Sequence, residues 1–261
     1  GVSVAVVNRP GANSVVAMTH LVGQPADGYS ISIITNDTLA AMATGATKLK
    51  IDDFAWIARG VADLEMIFAR TDDKRFGSFD DYVKLAKANP GKLTMAVGGQ
   101  GGLETVVAAL VNHAAGVKVK FIPYDKPSER FAAFLGGHTD LLLEEPSDMK
   151  PYLDDRKVKP LIQMTEKRPA TFANIPTAPE KGINVTIGLW RGVVAKKGTP
   201  PAIVEYLSAV IKDVVNDPAF VDGYVKKRVL DIRPGYLGPK EFEAVASKEL
   251  EQIRQATTIL K

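Results

Sequence analysis

With 261 residues, 46% of them hydrophobic and 24% charged, the chain is long enough for two modest domains or one large one around a real core. A formal charge of +3, from 33 basic and 30 acidic residues mixed along the chain, excludes the clustered basic face that nucleic acid requires. No apolar run reaches the length of a membrane span, and the absence of cysteine excludes disulfides, thiolate metal sites and cysteine nucleophiles while leaving the compartment open.

Short β-branched runs alternate with helical stretches, the mark of an α/β fold. Gly1–Val7 reads as a strand already under way, with no initiating Met and no signal segment. The expectation is a processed or truncated product, or one whose start lies upstream. The strands expected are Val2–Val7, Ser30–Thr35, Phe54–Arg59, Met66–Ala69, Thr94–Val97, Val119–Ile122, Asp140–Leu143, Val158–Met164 and Arg191–Ala195. The helices expected are Asn13–Val22, Leu39–Thr44, Phe79–Ala88, Glu104–Ala115, Ser128–Leu135, Pro201–Val215 and Pro239–Ala256. Ser78 ahead of Asp80 and Asp81 predicts a capped helix start, and Asn89-Pro90-Gly91 predicts its end.

Three strand-to-helix junctions hold the candidate chemistry, since open α/β sheets bind ligands at the carboxyl ends of strands. Val97-Gly98-Gly99-Gln100-Gly101-Gly102 joins an extended run to a helical one. Its glycines let the backbone turn tightly and aim N–H groups at one spot, where the helix dipole adds positive potential for a carboxylate or phosphate. The loop lacks the spacing of a dinucleotide fingerprint and the ending of a Walker A motif, and the competing reading is a plain flexible turn. Ile31–Thr35 runs into Asn36-Asp37-Thr38, where Asp37 or Thr38 reads either as a ligand contact or as an N-cap. Leu141-Leu142-Leu143 runs into Glu144-Glu145-Pro146-Ser147, two acids that read as a site or as solvated charge.

These junctions lie among fragments with a family likeness. Val7-Asn8-Arg9-Pro10-Gly11-Ala12 resembles "ENRPGA", Pro25-Ala26-Asp27-Gly28-Tyr29 resembles "PADGYT", and Ala86–Leu93 is close to "AKANPGKL". Pro123-Tyr124 with Gly136-Gly137-His138-Thr139-Asp140 resembles "PYKG…GGQVD", Lys167-Arg168 with Ile175-Pro176-Thr177 resembles "KRS…PDVPT", and Lys197–Pro201 matches "KGTPP". From Val7 to the C-terminal helix the chain resembles the periplasmic solute-binding receptors of tripartite tricarboxylate transporters, the Bug or TctC family.

The resemblance implies a two-domain periplasmic-binding-protein-like α/β fold with mixed, mainly parallel sheets and a ligand cleft between domains. Residues 1–69 and 187–261 would form the first domain and 70–186 the second, with hinges near Ala69–Asp72 and Thr186–Gly192. It further implies a monomeric periplasmic receptor that hands a small carboxylate (a di- or tricarboxylate, an aromatic acid or an acidic amino acid) to membrane permease subunits. No cofactor, metal or catalysis is implied. Carried over by position, the ligand contacts are Thr35, Asn36, Asp37 and Thr38 from the first domain, and Gly98, Gly99, Gln100, Gly101, Gly102, Glu145 and Ser147 from the second. Trp190 and Arg191 fall at the return crossing, as an aromatic wall and a cation, or as core packing and the partner of a structural acid.

Two departures stand out. The family pattern begins with a further strand, glycine-rich loop and helix upstream of Gly1, and that strand would lie between Val2–Val7 and Ser30–Thr35. Asp37 and Glu104 stand where small polar residues are common, either meeting an ammonium group on the ligand or pointing away as helix caps. The other class considered is an α/β enzyme or ligand-sensing domain for small anions. Against it, His20, His113 and His138 are far apart, and no G-x-S-x-G or H-E-x-x-H occurs.

Overall fold

In the computed structural model, residues 3–99, 101–230 and 235–259 are described. The elements run α1 (Val15–Val22), β1 (Ile31–Thr35), α2 (Asn36–Thr44), β2 (Phe54–Ala62), β3 (Met66–Arg70), α3 (Phe79–Ala88), β4 (Thr94–Val97), α4 (Leu103–Ala114), β5 (Lys120–Pro123) and α5 (Pro127–Leu135). There follow β6 (Leu141–Glu144), α6 (Pro146–Asp154), β7 (Val158–Gln163), β8 (Trp190–Lys196), α7 (Pro201–Asn216), the short α8 (Pro218–Phe220) and α9 (Pro239–Ile259).

The strands make two sheets. The first has the order β1-β8-β2, with β8 antiparallel to both neighbours. Alternation along these strands sends Ile34, Trp56, Trp190 and Val194 into one core with α9, while Ile57, Ala58, Val193 and Ala195 meet Val204, Leu207 and Ile211 of α7. Phe242 of α9 wedges edge-on between Trp56 and Trp190, at centroid distances of 4.8 and 5.0 Å. Gly192 makes room for that ring, because a Cβ there would lie 2.1 Å from it. The second sheet has the order β5-β4-β6-β3-β7. Among the named strands parallel pairing is confined to β5-β4-β6, and β3 runs antiparallel between β6 and β7, so the sheets are mixed as expected but with more antiparallel than parallel pairs.

The chain crosses between the sheets at Asp63-Leu64-Glu65, not at Ala69–Asp72. Met66–Ala69 is buried throughout, which suits a central strand of the second sheet rather than a linker. The outgoing and return crossings touch, since Asp63 N–H donates to the Leu189 carbonyl at 2.7 Å. One continuous apolar cluster spans both bodies, from Met18, Trp56 and Phe242 to Met95, Val107 and Leu143, and α4 packs against both α2 and α9.

Other expectations shift as well. Residues 3–7 form no strand and make no ladder with β1, and Val4, Val6 and Val7 are exposed; Val2 lies outside the described residues. An apolar run with no neighbour to bury it has no reason to become a strand. Helix α2 starts at Asn36, directly after β1, and the helix start expected at Pro146 extends over the acidic, proline-containing segment Pro146–Asp154.

Candidate functional site

Four strand ends converge between the two sheets. At the first, Thr35 closes β1 and its Oγ1 donates to Asp37 Oδ2 at 3.2 Å, which fixes the carboxylate in the first turn of α2. Asp37 Oδ1 accepts from the Leu103 N–H at 3.3 Å, so it caps α4 on the opposite body rather than its own helix. Asn36 is fully buried. Its Nδ2 donates to the Gly188 carbonyl at 3.0 Å and to Glu249 at 3.3 Å, and its Oδ1 accepts from Trp190 N–H at 3.4 Å. Thr38 beside it is also fully buried.

At the second junction the glycine loop turns tightly before α4. Gly102 N–H donates to the Gly99 carbonyl at 2.9 Å, and Gly101 has φ +76°, a conformation that glycine adopts without strain. Glu104 folds back over the loop, with its carboxylate where a Gly98 Cβ would stand. At the third junction Glu145 stands at the N-cap position of α6 without a side-chain cap bond, and Pro146 takes the first helical position. At the fourth, Arg191, the second residue of β8, lies opposite Thr35 and Val61.

The electrostatics of this interior are acidic. Asp63, Glu65 and Glu144 are fully buried, and Glu145 is nearly so. Arg130, itself buried, donates to Glu104 at 3.3 Å and to Glu144. Asp63 accepts from the Leu64 N–H at 2.8 Å. Both carboxylate oxygens of Glu65 lack a hydrogen-bond partner among the described residues. Burial, reinforced by the charge of Glu145, pushes the Asp63 and Glu104 carboxyls up to about 7. The same two causes raise Glu65 and Glu144 well above the usual carboxylate range. Asp37 is raised by burial first, which its bond from Leu103 partly offsets. Arg191 lies within Coulombic reach of Asp37 and Asp63, yet its guanidinium makes no hydrogen bond or ion pair among the described residues.

Among the residues singled out in the sequence, Thr35, Asp37, Thr38, Gly98, Gly99, Gly101, Gly102, Glu145, Ser147 and Arg191 lie at these converging ends; Gln100 is outside the described residues. Trp190 is corrected. It is no aromatic wall but core, 1% exposed, with its indole N–H donating to Glu249 at 2.6 Å and its ring against Phe242. Asn36 is likewise committed to structure, tying α2 to the return crossing. Sequence reasoning missed Asp63, Glu65 and Arg130. The available signal was Asp63-Leu64-Glu65, two acids set between apolar strands where a linker was not expected. Carboxylate oxygens of Glu144, Glu145 and Asp148 lie within 4.8 Å of one another, but Arg130 pairs with Glu144 and Arg228 with Asp148, which leaves little charge for a metal ion. The three histidines are exposed and outside this region.

A family profile described as "Tripartite tricarboxylate transporter family receptor" matches residues 1–248. A Cupriavidus necator protein of the UPF0065 group is 30% identical over 97% of this chain and 76% of its own length. The crystal structure of a TctC solute binding protein from Polaromonas, without ligand, superposes with TM-score 0.82 at 27% identity, over 97% of this chain and 85% of that one. An R. palustris protein solved with adipate gives TM-score 0.83 at 22% identity, over 97% and 85% respectively.

Proposed function

This chain belongs to the tripartite tricarboxylate transporter receptor family, and on that premise we propose that it captures a small organic carboxylate between its two bodies. In this reading it works outside the cytoplasm as a receptor without catalytic activity, and delivers the solute to membrane permease subunits. The observation that carries the proposal is the convergence of strand ends and helix starts from both sheets on one interior, where Arg191 has a guanidinium to offer. The adipate held by the R. palustris protein of the same fold supports the solute class. No described helix is long and apolar enough to cross a membrane. The paired crossings at 63–65 and near Leu189 support a hinge between the bodies.

Thermal-shift and calorimetric titration of the full-length gene product against mono-, di- and tricarboxylates tests the proposal. A ligand that binds only the folded state raises the melting temperature by mass action. Conversion of any of these acids to product, rather than reversible binding, would move the protein to the enzyme class.

A further inference from the structure

A receptor for plain carboxylates should present donors, yet the interior presents acceptors. Asp37, Asp63, Glu65, Glu104, Glu144 and Glu145 face one another across it, answered by Arg130 and Arg191. Arg130 is consumed by Glu104 and Glu144. The N-terminus of α4, the natural seat for a ligand carboxylate, is taken from within by Asp37 through Leu103 N–H. Glu65 is the telling residue. It sits in the crossing segment with no solvent exposure and, among the described residues, no partner on either oxygen, ringed by Glu145, Glu104, Glu144 and Asp63. An unpaired buried carboxylate among like charges is costly unless a proton or a cation answers it.

Resting on the receptor reading above, we propose that the solute carries an ammonium group as well as a carboxylate: Glu65 and Glu145 accept from the ammonium, and Arg191 takes the carboxylate. Glu145 belongs in this pair because its charge bears on every other acid of the cluster, while its own carboxylate makes no ion pair among the described residues. An ammonium with three donors suits carboxylates on different elements better than a metal ion does, since Glu144 and Asp148 already have arginine partners.

The test uses the full-length protein and matched probes: aspartate against succinate, glutamate against glutarate, and 4-aminobutyrate against butyrate, with Ca²⁺ and Mg²⁺ as separate arms. The amino member of at least one pair should bind roughly 10- to 100-fold tighter than its des-amino partner, the scale of a charge-assisted hydrogen bond. Calorimetry near pH 7 in two buffers of different ionisation enthalpy should show proton release on binding, because an arriving cation favours the ionised carboxyls. A simple anion should instead draw protons in. Glu65→Gln should erase the preference within the pair, and the proton count on the unaltered protein decides the matter even if that variant fails to fold. Tighter binding of the des-amino acids, or proton uptake with the amino acids, overturns the ammonium assignment and leaves the carboxylate receptor standing. A response to Ca²⁺ or Mg²⁺ but to neither member of any pair overturns it in favour of a metal. Silence from every probe overturns both readings.

Discussion

The acidic interior makes the pH dependence of folding a sharp test of the geometry, and Asp63 is the residue on which to run it. Burial raises its carboxyl from 3.8 to about 7, with the charge of Glu145 adding to the effect and the Ser147 hydroxyl, Leu64 N–H and Arg191 opposing it. The native state therefore holds this proton after the unfolded chain has lost it. Below 3.8 both states are protonated and Asp63 costs nothing. As pH climbs from there to about 7, the unfolded state gains by ionising and the native state loses ground. Working the two titrations through, the penalty is about 2 kcal/mol at pH 5 and about 4 kcal/mol at pH 8. Asp63→Asn removes the titration and keeps the shape and an oxygen to accept from Leu64. In urea unfolding the variant should gain on the unaltered protein by about 2–3 kcal/mol between pH 5 and pH 8. A gap that stays constant or narrows with rising pH would mean that Asp63 ionises freely in the folded protein, and the acidic interior described here would be wrong.

Asp37→Ala removes the acceptor that ties α2 to α4 across the bodies; small-angle scattering should show a larger radius of gyration, and an unchanged profile would count against Asp37 as a latch. Gly102→Ala places a Cβ 3.0 Å from the Gly99 carbonyl, and Gly101→Ala forces an alanine to φ +76°, so each should lower stability by about 1–2 kcal/mol in thermal melts. Trp190→Phe leaves Glu249 without its indole donor while Asn36 still serves it, with an expected loss of about 1–3 kcal/mol and no change in solute preference.

Elements whose pattern is local were readable from the residues. Ser78 does cap α3, accepting from Asp81 N–H at 3.2 Å. Along α7 the 3.6 period of Ile203, Leu207, Val210, Ile211 and Val214 marks the apolar face only in part, since Val204, Leu207 and Ile211 pack inward while Val210 and Val214 are exposed. The crossing was harder, because Met66–Ala69 looks the same whether it ends one body or begins the next. Only its pairing with β6 and β7 decides. Trp190 carries a polar handle that suggests a wall of the cleft as readily as a core ring. Its neighbours Phe242 and Glu249 are more than fifty residues away, so nothing nearby in the sequence distinguishes the two.

Asp37 shows why the charge of the site was the least legible part. An acid in a helix's first turn is expected to serve that helix, and the sequence alone offered a cap or a ligand contact. The fold makes it neither of these in the simple sense. Docking the two bodies brings the α4 N-terminus to Asp37, so that the chain itself supplies the carboxylate which the glycine loop was expected to collect. The same docking brings Glu65 and Glu145, eighty residues apart in sequence, into one buried cluster. Charges that are unremarkable when read singly become the dominant feature once they share an interior where water no longer screens them. In the receptor reading proposed above, the two-body fold sets where a solute sits, while the acids of the crossing segment set the charge it must bring.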